Sequence, residues 1–245
     1  PDEVTAGGDT VAVRVPAHPV ARALIAASGV PIAAPSANRF GRVSPTCADH
    51  VMADLSGRID LVLDGGRTQV GVESTVLSLW PDIPTILRPG GITRESLEKL
   101  LGSVGVRQPS SVEGETLISP GTTTKHYAPR AKTTLYRGER EAVLARIRRD
   151  VSDYVAEGVT VGVLVADEDL ALLTDLPAVY RSVGSIASME QIAQQLFASL
   201  RSLDAAGVEI ILARDFGQSG LGLAIRDRLT RAAAGDVIVV TETSG

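Results

Sequence analysis

The second half of the chain alternates between short β-branched apolar segments and longer amphipathic segments, and this alternation constrains the fold more than any other feature. It predicts a parallel sheet covered by helices on both faces. The predicted strands are Thr134–Tyr136, Val159–Ala166, Val179–Val183, Val208–Ala213 and Val237–Thr241. The predicted helices are Glu139–Glu157, Ser188–Ala206 and Gly220–Ala234.

The Ser188 helix carries the clearest pattern. Ile192, Leu196 and Leu200 recur at three-to-four spacing, which is typical of one buried helix face. Ser188 and Gln191 have the spacing of a capping box at its beginning.

The first part of the chain predicts a smaller, mixed α/β domain. Its predicted strands are Thr10–Pro16, Val30–Ala34, Ile59–Leu63, Ser74–Leu79 and Thr85–Arg88, and its predicted helices are His18–Ser28, Ala48–Leu55 and Thr93–Leu101. We therefore divide the chain into a first domain at 1–102, a linker at 103–132 and a second domain at 133–245.

Composition excludes several classes of protein. Only 3% of the 245 residues are aromatic, so the sequence offers no obvious stacking platform for single-stranded nucleic acid. One cysteine, Cys47, cannot form an internal disulfide, and with three histidines it makes a zinc cluster implausible. The formal net charge of −5 argues against a general nucleic-acid binder. We expect a cytoplasmic protein without a membrane segment.

The predicted linker is rich in Ser, Thr, Pro and Gly, yet it differs from a solubilising spacer. It contains Ser119-Pro120-Gly121 and His126-Tyr127-Ala128-Pro129, and a spacer gains nothing from a His and a Tyr between prolines. Loops of this length inside compact proteins are usually either disordered or functional.

A buried strand is predicted to end in small polar side chains at Ala33–Asn38, with Ser44-Pro45-Thr46 close behind. Ser36 and Asn38 point the same way on an extended segment, so both can reach one ligand. The same residues are common in ordinary turns, which is the competing interpretation.

Six motifs together resemble one family. They are Thr10–Pro16; Pro35–Asn38 with Ser44–Thr46; Gly71–Val76; Leu87–Gly90; Ser119–Gly121 with His126–Pro129; and Gly220–Gly222 with Asp227–Leu229. In order and spacing they resemble the long, two-domain L-threonylcarbamoyladenylate synthases. The resemblance implies an α/β fold in which part of a YrdC-like mixed twisted sheet is joined by an ordered linker to a Rossmann-like parallel domain.

The activity implied by the resemblance is a nucleotidyl transfer. L-threonine, bicarbonate and ATP, with Mg²⁺, would give threonylcarbamoyl-AMP and pyrophosphate for N6-threonylcarbamoyladenosine modification of tRNA. The implied partners are the downstream tRNA threonylcarbamoyl-transferase machinery and, by a further contact, tRNA or double-stranded RNA. No membrane partner is expected.

The site residues are also carried over from the resemblance, and no catalytic group is assigned beyond them. The implied ATP-binding residues are Thr10, Ser36, Asn38, Ser44, Arg88 and Tyr127, and the implied threonine-binding residues are Arg14, Ala34 and Ser74. Ser36 and Ser44 would donate to phosphates, Arg14 would fork onto a carboxylate, and Tyr127 would close over the nucleotide as part of a lid. We expect Glu73 to hold a neighbouring loop instead of acting as a general base. Each polar residue could also be structural, as a strand-edge charge, a turn residue or a packing contact.

One departure concerns the beginning of the chain. The family's Lys-x-Arg signature is not found in residues 1–10, so we expect a truncated synthase that is weak or inactive alone. Two alternatives remain at this point: a non-catalytic nucleotide or double-stranded RNA binder that uses the same pocket, and a carbamoyl-transfer enzyme of the hydrogenase-maturation type. The linker motif and the second domain disfavour the latter.

Overall fold

The computed structural model describes residues 2–5, 7–80, 82–107 and 127–241. The first part contains α1 (Asp2–Thr5), α2 (Pro19–Ser28), α3 (Ala48–Leu55), β1 (Val76–Ser78), β2 (Thr85–Arg88), α4 (Arg94–Leu101) and β3 (Gly105–Val106). The second contains β4 (Lys132–Gly138), α5 (Arg140–Ala156), β5 (Val161–Val165), α6 (Asp167–Leu170), β6 (Val179–Ser182), α7 (Met189–Ala205), β7 (Ile210–Arg214), α8 (Leu221–Ala232) and β8 (Val237–Val240).

The second part is built on a five-stranded parallel sheet in the order β6-β5-β7-β4-β8. Its strands and long helices lie within a few residues of the predicted ones. The predicted Rossmann-like α/β architecture is therefore confirmed.

Apolar side chains cover both faces of this sheet. Leu164 contributes to the cluster under α7 and α8, whereas its neighbours Val163 and Val165 contribute to the cluster under α5. This alternation follows from the two-residue period of a strand. A strand buried on both faces must be apolar throughout, as β5 is.

Helix α7 follows its sequence pattern closely at the core and less closely at its cap. Ile192, Leu196 and Leu200 are buried. The Ser188 hydroxyl accepts from the backbone N–H of Gln191 at 3.2 Å. The Gln191 side chain accepts instead from the N–H of Ser185, so only half of the predicted capping box forms.

The first part contains a small mixed sheet, as predicted. β1 pairs antiparallel with β2, and β2 pairs parallel with β3. Helix α2 is followed by its C-cap Gly29, which has the left-handed φ of 66° expected of a C-terminal glycine. Helix α4 is capped at its N-terminus by Thr93, whose side chain accepts from the N–H of Ser96.

Three strands that the sequence predicts for the first part are not formed by the described residues, so these predictions are wrong. Thr10–Pro16, Val30–Ala34 and Ile59–Leu63 are irregular, and Val13 and Val15 are 84% and 85% exposed. Alternation and β-branching give a segment a strand tendency, but a strand forms only when a neighbour satisfies its backbone groups.

The predicted linker lies largely outside the described residues, including Ser119-Pro120-Gly121 and His126. Residues 105–106, which the prediction placed in it, pair with β2 in the small sheet. The domain boundaries themselves stay a prediction. Within the described ranges, no helix is both long enough and apolar enough to cross a membrane.

Candidate functional site

Polar side chains from both parts of the chain meet where loops of the first part lie against helices α7 and α8. We call Ser44, Glu73, Arg88, Tyr127 and Arg228 the interface cluster. Ser44, Arg88, Tyr127 and Arg228 are all buried, at 6%, 8%, 2% and 0% exposure. Charged and hydroxyl groups are buried together in this way only when they satisfy one another.

Glu73 lies at the centre of the interface cluster. Its Oε1 accepts from the Ser44 hydroxyl at 2.5 Å, and its Oε2 accepts from Arg228 Nε at 2.6 Å. Burial raises the pKa of Glu73, but the Arg228 charge and these hydrogen bonds outweigh it and hold the pKa below its ordinary value. The carboxylate is therefore ionised and holds a neighbouring loop, as expected, and it is a poor general base.

Arg228 reaches the interface cluster from α8. Its guanidinium donates to Glu73, to the adjacent Asp227 and, at 3.0 Å, to the carbonyl oxygen of Pro89. Burial opposes its charge, but the two carboxylates outweigh burial and raise the pKa of Arg228. The second part of the chain thus places a permanent cation against loops of the first.

Tyr127 has an unusual backbone conformation and a crowded ring. Its φ is 62°, in the left-handed region that costs a non-glycine residue about 1–3 kcal/mol. The ring contacts Phe197 at a centroid distance of 5.5 Å and lies 5.1 Å from the Arg228 guanidinium. Burial raises the pKa of the phenol. Surrounding contacts therefore compensate for a strained backbone at a predicted ligand-binding residue.

Arg88 joins Tyr127 to Ser74. Its Nη2 donates to the Ser74 carbonyl oxygen at 2.9 Å, and its guanidinium also hydrogen-bonds the Tyr127 side chain. Burial, the main influence, lowers the pKa of Arg88. Two predicted ATP-binding residues and the backbone of a predicted threonine-binding residue are therefore in direct contact.

A second arginine of the C-terminal part, Arg201 on α7, holds the Ser44 backbone. Its Nε donates to the Ser44 carbonyl oxygen at 3.2 Å, and its Nη2 donates to the Val43 carbonyl oxygen. The same Nη2 pairs with Asp54 at 2.6 Å. Ser44 is thus fixed through its main chain by Arg201 and through its hydroxyl by Glu73.

Asn38 orders the loop on which Tyr127 docks. Its Nδ2 donates to the carbonyl oxygens of Arg39 and Arg42. Ala128, next to Tyr127, forms an isolated parallel β-bridge with Arg42, and its backbone N–H donates to the Gly41 carbonyl oxygen at 2.9 Å. The buried Asn38 Oδ1 has no hydrogen-bond partner within the described part of the chain.

The predicted site residues therefore fall into two groups. Ser44, Asn38, Arg88, Tyr127 and the Ser74 backbone are connected through the contacts above. The other predicted residues are exposed, and in the described ranges no hydrogen bond or ion pair joins them to the interface cluster: Thr10, Arg14, Ala34 and Ser36.

Sequence reasoning missed the two arginines that complete this arrangement. Arg228 belongs to the Asp227–Leu229 motif, but the motif gave it no role, and Arg201 has no sequence signal beyond its place on an amphipathic helix. The geometry also restricts the predicted role of Ser44 as a donor to phosphate. Its only hydroxyl hydrogen points to Glu73, so it must leave that carboxylate in order to donate to a phosphate.

Metal binding by side chains alone has no support among the described residues, which contain no group of His, Cys, Asp and Glu arranged to hold an ion. Glu73, the carboxylate of the interface cluster, is already committed to Ser44 and Arg228.

The whole chain resembles known proteins. Residues 92–234, more than half of it, match the family described as "Threonylcarbamoyl-AMP synthase, C-terminal domain", and residues 1–90 match the family described as "Telomere recombination". The chain belongs to the threonylcarbamoyl-AMP synthase family. The two family matches meet beside the Leu87–Gly90 motif.

Relatives in the threonylcarbamoyl-AMP synthase family come from bacteria, archaea and fungi. The Bacillus subtilis enzyme is 48% identical over 96% of this chain and 66% of its own length. The Pyrococcus abyssi enzyme is 41% identical over 98% of this chain and 68% of its own. The Schizosaccharomyces pombe enzyme is 41% identical over 94% of this chain and 59% of its own. This chain therefore spans about two thirds of the length of these threonylcarbamoyl-AMP synthases.

A crystal structure of a relative supports the same assignment. The Pyrococcus abyssi Sua5 protein complexed with L-threonine superposes with a TM-score of 0.90 at 40% identity, covering 98% of this chain and 69% of that one. The family resemblance found in the sequence is confirmed, as is the pairing of a small mixed sheet with a five-stranded parallel sheet.

Proposed function

We propose that this chain carries the nucleotide-binding part of a threonylcarbamoyl-AMP synthase, which joins L-threonine, bicarbonate and ATP and releases pyrophosphate. Membership of the family supports the reaction, and the L-threonine complex of the Pyrococcus abyssi relative supports the amino acid. The observation that carries the proposal is the convergence of Ser44, Arg88 and Tyr127 in one buried cluster.

The chemistry sets the tasks of these residues. The threonine amine combines with bicarbonate to form a carbamate and water, and a carbamate oxygen then attacks the α-phosphorus of ATP as pyrophosphate leaves. Two anions must be brought together, so catalysis depends on positioning and on positive charge near the phosphates. In this proposal Arg88 supplies that charge, and its contact with Tyr127 fixes where it points.

Tyr127 would cover the nucleotide. It is buried, and its ring rests on Arg228 and Phe197. A lid there would exclude water from the mixed anhydride product, which water would otherwise hydrolyse. Asn38 keeps its proposed role on the ATP side through the loop that its Nδ2 orders.

Mg²⁺ enters this proposal as part of the Mg–ATP substrate. Because the described residues lack a metal-binding group of side chains, we assign no residue to hold it. The exposed residues Thr10, Arg14, Ala34 and Ser36 keep their proposed roles on the ATP or threonine side. A role in tRNA modification, contact with RNA and a cytoplasmic location are likewise proposals that follow from the family alone.

Pyrophosphate release is the direct test. We expect slow release, and only when L-threonine, bicarbonate and Mg–ATP are all present. Replacing Arg88 by Met should lower the rate about 10- to 100-fold, since a charge-assisted hydrogen bond contributes roughly 1.5–3 kcal/mol. Arg148→Met is the control, because Arg148 forms an exposed ion pair with Asp175 on the C-terminal part. ATP binding without threonine-dependent pyrophosphate release would instead favour the non-catalytic binder.

A further inference from the structure

Arg228 is a cation whose complete burial requires an explanation. Its side chain has no exposed surface. It lies on α8 of the C-terminal part, where its neighbours Ile225 and Leu229 are apolar core residues. A buried ion pair is often no more stable than a well-packed apolar pair of the same volume. Stability alone is therefore a weak reason for an arginine at this position.

The contacts of Arg228 lead to three predicted ATP-binding residues. Through Glu73 it fixes the hydroxyl of Ser44. Through the Pro89 carbonyl oxygen it holds the residue that follows Arg88. Its guanidinium also lies over the ring of Tyr127, at a distance typical of a cation–π contact.

The shape of the guanidinium suits this task. Its planar fork can donate in several fixed directions at once, whereas a lysine ammonium is a compact charge on a flexible stem. The Asp227 carboxylate pairs with the Arg228 guanidinium and also with Arg231 on the same helix. Contacts within α8 therefore hold the guanidinium in addition to its contacts with the first part of the chain.

We propose that Arg228 is a positioning residue through which the C-terminal domain sets the geometry of the ATP subsite. It acts on ATP through Ser44, Arg88 and Tyr127 and has no contact with the reacting atoms. The inference rests on the proposed function for the identity of the nucleotide. It gives the Rossmann-like domain a task in the reaction, namely to hold three nucleotide contacts in register.

The test compares substitutions at Arg228 with a matched substitution on the same helix. Arg228→Lys keeps the charge and loses the fork, and Arg228→Met loses both. Arg226→Met is the control, because Arg226 pairs with Asp215 and Gln218 inside the C-terminal part. For each protein we would measure the Kd of an ATP analogue with a methylene between its α- and β-phosphorus atoms, KM for ATP and for threonine, and the thermal midpoint.

We expect Arg228→Met to raise the analogue Kd and the KM for ATP about tenfold or more, while the KM for threonine changes less than about threefold. Arg228→Lys should give an intermediate value, and Arg226→Met should leave both nucleotide constants within about twofold of wild type. A merely structural role would lower the folded fraction and kcat without this selective change in ATP affinity.

A double substitution separates positioning from folding. Arg228→Met together with Glu73→Gln leaves no unpaired buried charge, so its thermal midpoint should recover relative to Arg228→Met alone. Its analogue Kd should stay raised. Wild-type affinity for the analogue in the double variant or in Arg228→Lys would overturn the proposal.

The two proposals can fail separately. If wild type binds the analogue but releases no pyrophosphate with threonine and bicarbonate, the proposed function is wrong, and the analogue Kd of the variants still decides the role of Arg228. If wild type releases pyrophosphate and the Arg228 variants keep its KM for ATP, only the positioning role is wrong. If wild type does not bind the analogue, both proposals are overturned.

Discussion

Glu73 carries a negative charge at a place where burial opposes it, and Arg228 is the main reason that the charge persists. The pKa of Glu73 lies below its ordinary value of 4.5 because the arginine and two hydrogen bonds outweigh desolvation. This pair joins the two parts of the chain, so its contribution to the free energy of unfolding depends on pH.

The pH dependence has a definite sign. Since folding depresses the pKa of Glu73, its contribution is complete above the ordinary value of 4.5 and is lost as pH falls through the lower folded value. Glu73→Gln should lower the free energy of unfolding by about 3 kcal/mol at neutral pH, because it leaves Arg228 without a charged partner in the first part. Denaturant unfolding at a series of pH values measures the difference, which should shrink below pH 4.5.

Glu157→Gln provides the control, because Glu157 is exposed at the end of α5. An exposed carboxylate contributes little to the free energy of unfolding, so its difference from wild type should be small. A Glu73→Gln difference that stays constant down to acid pH would contradict the prediction.

At the scale of elements, the close approach of the Gly71 loop to helix α7 fixes how the two parts dock. Gly71 has a φ of 82°, and a Cβ atom there would overlap the Ala193 carbonyl oxygen and the Gln194 Cα. Both obstacles are helix backbone, which cannot move aside as a flexible side chain can. The loop leads directly to Glu73, so any displacement of Gly71 reaches the interface cluster.

Gly71→Ala should therefore destabilise the chain more than Gly66→Ala does. Gly66 has a nearly identical φ of 85°, but a Cβ there would meet nothing within 4 Å. Both variants bear the left-handed backbone cost of about 1–2 kcal/mol, and only Gly71→Ala adds the overlap with α7. Thermal unfolding and the KM for ATP of the two variants measure the difference. Equal effects would show that the close approach is not essential.

The elements also show what the sequence can predict. Strand β5 was recognised because it is a short, continuous apolar segment rich in valine, and helix α7 because its apolar residues recur at three-to-four spacing. The segment at Thr10–Pro16 also has a strand pattern, an alternating one, yet it is irregular in the structure because pairing depends on a neighbour that local pattern does not reveal.

The site residues also divide into those that the sequence predicts and those that it does not. Arg88 and Tyr127 were predicted because the family resemblance assigns their motifs a role in binding ATP. Arg228 also lies in one of the motifs, but its role was missed because its partners Glu73 and Pro89 lie far away in the sequence, 155 and 139 residues from it. Contacts of that separation follow from the docking of domains, and no local pattern predicts them.

At the scale of the whole molecule, burial is unevenly distributed over the described chain. Both large apolar clusters are built mainly from the C-terminal part, and the first part contributes Val43 and, at their edge, Val72. In the first part, Val11, Ile32 and Leu61 are exposed at 52%, 43% and 75%. Local stability follows buried apolar contacts and protected backbone hydrogen bonds, so the two parts should open at different free energies.

Native-state hydrogen exchange of this chain should resolve that difference residue by residue. The amides of Val161–Val165 and Ile210–Arg214 lie in paired, buried strands and should exchange only when the five-stranded sheet opens. Those of Val11–Val15 make no backbone hydrogen bond to any described residue and should exchange at least about a thousandfold faster. Thr85–Arg88, in the small sheet, should be intermediate. Protection of Val11–Val15 equal to that of Val161–Val165 would mean that the first segment pairs with a strand, and the irregular conformation described for it would then be wrong.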